Sequence, residues 1–452
     1  MNKLHTSGLL RVNKVALSIG FFAYLFFLIK ATNNMPMLSA TCLLAYVSYV
    51  ILLIDLSRGA EHFYNTRRLA ISVFIYGFLI LSAFLYVSYI YEGDTFLFCK
   101  VDAKTYEYSS MLMANMPFDA AFNYLSRQYQ FDDWGAFVVM SSVLSIIPDK
   151  LFLNFFYLII GTITAVTIFK MCTRMMLRKY AYMSAITYSV SSFAVFFYGV
   201  FLKETFFIFL IVGSMYFFMK YVTKGNFVNC IWAILFSIFL VFFRPAVLLF
   251  LWISYSCFFL FSTKVRIPKV FKFLIIVAIV AQLAVPAMEI ASNYSMGGEF
   301  LEQAATRENE RSGSTGVFMF FVVGIGTLLG PFPTLIATES NSPITVIYAP
   351  GLLYKLFLAL PFWMAVIYSI RKKIYTILPL IVFVIIECLP LIFIQQGLEL
   401  RKGLPHVFAF YIVAFWYLSQ IEEGKISEKL YCKLFPYSCV LISLIILGWN
   451  IR

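Results

Sequence analysis

Apolar residues in this chain gather in long runs separated by short polar segments. The runs fall near residues 15 to 29, 36 to 54, 69 to 91, 151 to 169, 180 to 198, 205 to 219, 228 to 243, 246 to 262, 273 to 290, 352 to 370, 374 to 394, 407 to 419 and 434 to 449. A bilayer-spanning helix needs roughly 20 apolar residues, and fewer where neighbours or local thinning help. The pattern therefore predicts an all-α, polytopic integral membrane helix bundle with about 12–13 transmembrane helices. The first run, Val15 to Ile29, begins like a signal peptide, but no small-residue cleavage site follows it, so it reads as a retained helix. No internal repeat or low-complexity linker divides the chain, and residues 1–452 read as a single integral membrane domain.

Two long segments interrupt the pattern. Residues 92–150 follow the third helix and read as a structured loop with amphipathic helices. In "DAKTYEYSSMLMANM" the residues Tyr106, Met113 and Met116 alternate with polar positions. "DDWGAFVVMSSVLSII" opens with two acids where a helix N-terminus favours carboxylates, and it is expected to lie on the membrane surface. The second segment, residues 291–350, contains the run 317–335 with Gly-Pro-Phe-Pro at its centre. Two prolines and a glycine break a helix, so a re-entrant element is expected there.

Composition agrees with the pattern: 62% of residues are hydrophobic and 13% charged, against about 25% charged in a soluble domain. The net charge of +13 raises the question of an anionic partner, and its distribution answers it. With the N-terminus cytoplasmic, the short inside segments hold 22 of the 35 basic residues but 5 of the 22 acidic ones, leaving 13 basic against 17 acidic elsewhere. The excess is thus a topology signal of the positive-inside kind and not a nucleic-acid footprint. Of eight cysteines only Cys99 lies in an outside segment, no C-x-x-C occurs, and the three histidines are scattered. Neither a disulfide framework nor a zinc site is indicated.

The candidate chemistry lies at the outer face. Lys203 and Glu204 interrupt "FYGVFLKETFFIFL" at the boundary between two runs, and adjacent helical residues point about 100° apart, so each needs another partner. Arg244 stands at an equivalent boundary before Pro245, and Asp102 follows the third helix. Arg307 and Arg311 lie in the second long loop, while "RKGLPHVF" brings Arg401, Lys402 and His406 to the same face. Charges beside membrane segments mark sites by default. Each also has a plainer reading: Lys203 and Arg244 as anchors that snorkel to headgroups, Arg307 and Arg311 as a solvated charge run, and Glu387 as a partner for backbone freed by Pro390. Together, arginines, a lysine and a carboxylate suit a phosphate or pyrophosphate with a lipid tail and an attacking sugar hydroxyl.

The stretches "VDAKTYEYSSMLMANM", "FDDWGAFVVMSSVLSII", "SAITYSVSSFAVFFYGVFLKETFFIFL" and "FFRPAVLLF" together resemble bacterial O-antigen and capsular polysaccharide polymerases, and the wider GT-C class of polyprenyl-linked glycosyltransferases. The resemblance covers mainly residues 95 to 260. It implies polymerisation of undecaprenyl-pyrophosphate-linked repeat units at the outer face of the bacterial inner membrane. Undecaprenyl-linked oligosaccharide donor and acceptor, membrane lipid, and a chain-length regulator or other assembly proteins are the implied partners. It also implies Asp102 as catalytic acid or base, with Lys203 and Arg244 on the donor pyrophosphate and Glu204 orienting one of them. Arg307, Arg311, Arg401 and His406 would then contact the second lipid or the glycan. "VDAKTY" lacks the Asp-Glu pair common in GT-C enzymes, so no cofactor is implied and a divalent metal is not indicated. A GT-C transferase adding a single sugar is the nearest alternative. A lipid-linked oligosaccharide flippase should carry polar residues at mid-membrane depth, where only Glu387 is expected, and an O-acyltransferase should carry a histidine there, where none is expected.

Overall fold

The structure is a computed structural model that describes residues 7–30, 35–262, 316–337, 342–393 and 398–451, with a few isolated positions between 268 and 277. No strand occurs among them. In chain order the helices are α1 (Ser7–Lys30), α2 (Pro36–Leu56), α3 (Thr66–Glu92), α4 (Lys100–Ala114), α5 (Phe118–Gln128), α6 (Trp134–Leu144), α7 (Lys150–Cys172), α8 (Arg178–Ser189) and α9 (Ser192–Gly199). They continue with α10 (Glu204–Lys224), α11 (Phe227–Ile238), α12 (Pro245–Phe261), α13 (Gly316–Leu329), α14 (Pro343–Phe357), α15 (Ala359–Lys372), α16 (Leu378–Phe393), α17 (Leu400–Glu422) and α18 (Glu428–Ile451).

Eight helices among the described residues are long and apolar enough to cross a membrane: α1, α2, α3, α7, α10, α16, α17 and α18. A ninth crossing arises if α14 and α15, bent by 45° at their junction, count as one. The stretches 227–242 and 245–261 are apolar but shorter, and most of the expected run 273 to 290 lies outside the described residues. The chain is a multi-pass membrane protein with an all-helical fold.

Local chemistry explains where the helices start and stop. Asn65 caps α3 by accepting from the Arg68 amide, and Gly93 closes it in the left-handed conformation (φ 71°). Asp149 caps α7 through the Phe152 amide, and Gly225 (φ 74°) ends α10. The apolar run 180 to 198, expected as one helix, is divided into α8 and α9. Ser191 turns extended at the break, and its hydroxyl donates to the Tyr188 carbonyl, the local bond by which serine competes with helix continuation.

The chain forms two compact units. The first comprises Met1–Pro245, Phe332–Ala365 and Tyr411–Arg452. Within it α7 packs on α3, α8 and α10, and α14 lies against α2 and α9. Polar side chains tie these helices directly: buried Asn13 donates to the Leu53 carbonyl at 3.2 Å and accepts from the Tyr354 hydroxyl at 2.6 Å. Tyr49 donates to the Thr187 carbonyl at 2.9 Å. A hydrocarbon environment makes such internal satisfaction obligatory. The same need is visible after α13, which stops at Gly330 (φ 117°). The irregular segment 332–337 is held by α18, where Asn450 accepts from the Leu335 amide at 2.8 Å and donates to the Pro333 carbonyl at 3.0 Å. The helix break expected at Gly-Pro-Phe-Pro is therefore present.

The second unit comprises Ala246–Pro331 and Val366–Phe410. In it α13 packs against α16, and α16 and the first part of α17 each carry an internal proline, Pro390 and Pro405.

Candidate functional site

Lys203 is the hub of the polar cluster in the first unit. The link from α9 to α10 places Phe201 in the left-handed region (φ 55°) with its ring fully buried against Tyr157. A bulky residue adopts that conformation only where packing over-determines it. Two residues on, the Lys203 ammonium lies 2.6 Å from Asp133 Oδ1 and 3.5 Å from Asp132 Oδ2. It also donates to the Asp132 carbonyl at 3.1 Å. The Tyr106 hydroxyl, from α4, donates to the same Asp133 oxygen at 2.6 Å. The Lys203 side chain is 14% exposed, whereas Asp132 and Asp133 keep 38% and 29%, so the network is shielded on its lysine side and partly open on its acid side.

Aromatic packing holds the two acids in place. Asp132 and Asp133 lie in a 3-10 turn, Phe131–Asp133, just before α6. Phe131 packs on Phe242 with centroids 4.8 Å apart, in a second 3-10 turn, Phe239–Phe242. Gly135 follows at the start of α6, and a Cβ there would overlap the Phe243 ring. The Trp134 indole donates to the Tyr129 carbonyl at 3.1 Å. The acids expected to serve the α6 macrodipole are thus engaged by a lysine 71 residues away; no side-chain cap bond is made by Asp133.

Arg244 leaves the second 3-10 turn directly. Its amide donates to the Leu240 carbonyl at 2.7 Å, and its half-buried guanidinium sits 5.7 Å from the Phe207 ring centroid, a cation–π distance. Glu204, the first residue of α10, is 1% exposed and within electrostatic reach of the Tyr157 phenol. Asp102 is half-buried in the first turn of α4, one turn before Tyr106 on the same helix face. Lys203, Glu204 and Arg244 therefore gather around the start of α10. Asp102 lies one helical turn from Tyr106, the α4 residue that bonds Asp133. Tyr106, Asp132 and Asp133 are additional members, which the sequence reads only as an amphipathic position and as acids at a helix N-terminus.

Arg307 and Arg311 lie outside the described residues. Arg401 and His406 belong to the second unit, in the first turns of α17. Arg401 is half-buried, whereas His406 is 3% exposed. His406 Nδ1 lies 3.4 Å from Glu387 Oε2 of α16, also 3% exposed, and its Nε2 is 3.9 Å from the Cys388 sulfur. A buried histidine thus stands near the start of the apolar helix α17. Glu387 faces that imidazole in addition to any role beside Pro390. In the first unit Lys355, within the apolar run 352 to 370, is 1% exposed.

Among the described residues no three His, Cys, Asp or Glu side chains form a group that could hold a metal ion. Comparison with protein-family models, with curated proteins and with solved structures gave no match for this chain, so its site is read from its own residues.

Proposed function

We propose that this chain is a membrane glycosyltransferase acting on undecaprenyl-(pyro)phosphate-linked glycans at the outer face of the bacterial inner membrane, with its N-terminus cytoplasmic. The reaction favoured is polymerisation of O-antigen or capsular repeat units; addition of one sugar from a polyprenyl-phosphate donor is the nearest alternative. The observation that carries the reading is the gathering of a partly shielded Lys203–Asp132–Asp133 network and the half-buried Arg244 at the start of α10, beside the helix that bears Asp102.

In this reading the arginine offers two parallel donors to a phosphate, and its position over Phe207 restricts its approach. Lys203 is already engaged by two carboxylates and the Asp132 carbonyl, so its task is to hold the Asp132–Asp133 turn beside Arg244. Asp102 takes the proton from the acceptor hydroxyl as it attacks the anomeric carbon, and the lipid pyrophosphate departs toward Arg244. The half-burial of Asp102 and Arg244 favours strong electrostatics at both ends of that transfer.

A flippase is the second reading, and it is favoured by the His406–Glu387 pair and by Lys355. These are buried ionisable groups on apolar helices of the kind that mark transport pathways.

The test is to replace Asp102, Lys203 and Arg244 by alanine one at a time in the native host and to resolve the surface polysaccharide on a gel. Collapse of long chains to single repeats is the expected outcome, with about 100-fold or greater loss of polymer for Asp102→Ala. Loss of one sugar at normal chain length would favour the single-sugar transferase. Cytoplasmic accumulation of complete lipid-linked units would favour the flippase. Unchanged ladders for all three variants would remove the proposed site.

A further inference from the structure

An open groove of about 570 Å³ lies along α4 and α5 in the first unit, and none of the chemistry above uses it. Lys100, Lys104 and Tyr108 form one wall along α4, Tyr124 and Tyr129 form the other, and buried Ser109 lies between them. Its volume is within the range of sites for small organic ligands.

The lining is specific in kind. Ser109 Oγ is 2.6 Å from the Tyr129 hydroxyl and 3.4 Å from that of Tyr124, a short chain of hydroxyls that both donate and accept. The Tyr124 and Tyr129 rings meet at 63° with centroids 6.3 Å apart, which forms a corner and not a parallel slot. Tyr108 holds its ring 67% exposed. The two lysines differ: Lys100 is bound by Glu92 and Asp94, whereas Lys104 has no ion pair among the described residues. Burial pushes the Tyr129 phenol up from its ordinary value.

A hydrocarbon chain in this groove would offer no partner to the Lys104 ammonium and none to the spare bonding capacity of the hydroxyls. A small inorganic anion would leave the tyrosine faces unused, and a nucleotide would bring several negative charges to one uncompensated cation. A sugar ring satisfies all three features, because its C–H face lies on an aromatic face, its hydroxyls bond hydroxyls, and a single carboxylate meets a single ammonium. The helix also relates this groove to the cluster. Asp102, Tyr106 and Ser109 are spaced i, i+4, i+7 on one face of α4, and Ser109 is the residue where that face meets the groove.

We propose that the α4–α5 groove binds an acidic saccharide, a glycan residue bearing a carboxylate, against the Lys104–Tyr108 side of α4. The proposal rests on the glycosyltransferase reading for its biological meaning but is tested by binding alone.

Purified full-length protein in lipid nanodiscs is titrated calorimetrically with methyl glucuronide, which carries one carboxylate, and with methyl glucoside, its neutral counterpart. Methyl glucuronide is expected to bind about tenfold more tightly than methyl glucoside. Lys104→Glu is expected to abolish that preference, and Tyr108→Ala to weaken both sugars by about fivefold or more. Both side chains are exposed, so neither change disturbs the packed helices. Equal affinity for the two sugars, or methyl glucuronide binding unchanged by Lys104→Glu, overturns the proposal. So does Lys104-dependent binding to phosphatidylglycerol vesicles that methyl glucuronide fails to compete, which would make the groove a lipid contact. The two readings fail separately: sugar binding with unchanged polysaccharide ladders for the Asp102 and Arg244 variants keeps the groove and removes the transferase, and the converse removes the groove alone.

Discussion

At Lys203 the physical problem is a cation that the apolar run of α10 cannot bury alone. It is solved by two carboxylates from a turn 71 residues earlier, one of them also bonded by Tyr106. Removing one partner of a shielded pair leaves the other uncompensated, and here Lys203→Ala would leave two adjacent acids facing each other. Because Asp132 and Asp133 keep 38% and 29% of their side-chain surface exposed, the expected loss is below that of a fully buried pair, about 1–3 kcal/mol. Thermal unfolding of Lys203→Ala, Asp133→Ala and the double variant measures it. A coupling of about 1–2 kcal/mol is expected, and additivity would show that the ion pair contributes nothing. The need for a distant partner at Lys203 is legible from the sequence, since its neighbour Glu204 points elsewhere. The identity of that partner is not, because an acid pair before a helix has a sufficient local explanation in the macrodipole.

Among the elements, α6 and its preceding turn act as a plate docked on the 3-10 turn that leads to Arg244. The contact is close because Gly135 has no side chain; a Cβ would meet the Phe243 ring. Gly135→Ala is expected to push the Asp132–Asp133 turn away from Lys203, with a stability loss of about 1–3 kcal/mol. Gly135→Ala combined with Phe243→Leu is expected to recover most of it. Hydrogen exchange in residues 131–144 reads the effect, and unchanged protection in the single variant would count against the docking described here. Apolar length predicts most of the helices correctly, and the Gly-Pro-Phe-Pro break is where proline chemistry requires it. The division of 180 to 198 into α8 and α9 is less legible: Ser184, Thr187, Ser189, Ser191 and Ser192 all lie in the run, and nothing in the sequence marks Ser191 as the one whose backbone bond accompanies the break.

For the whole molecule, hydrophobic runs and the positions of lysine and arginine set an expected topology that can be checked directly. In a Cys99→Ser background, Lys104→Cys should react with a membrane-impermeant maleimide on intact cells, and Arg67→Cys only after permeabilisation. Both positions are exposed in the structure, so equal labelling of the two would overturn the orientation. What the sequence by itself determines is the solvent: a chain so apolar, with cations sorted between its loops, has to be a helical membrane protein, because backbone groups in lipid must be satisfied within each segment. Side-chain partnership was decided only by tertiary structure. Lys203 with Asp132 and Asp133, His406 with Glu387, and the groove beside Ser109 join residues from separate helices. Hydropathy acts residue by residue along the chain, whereas a polar contact depends on which helix faces turn toward each other.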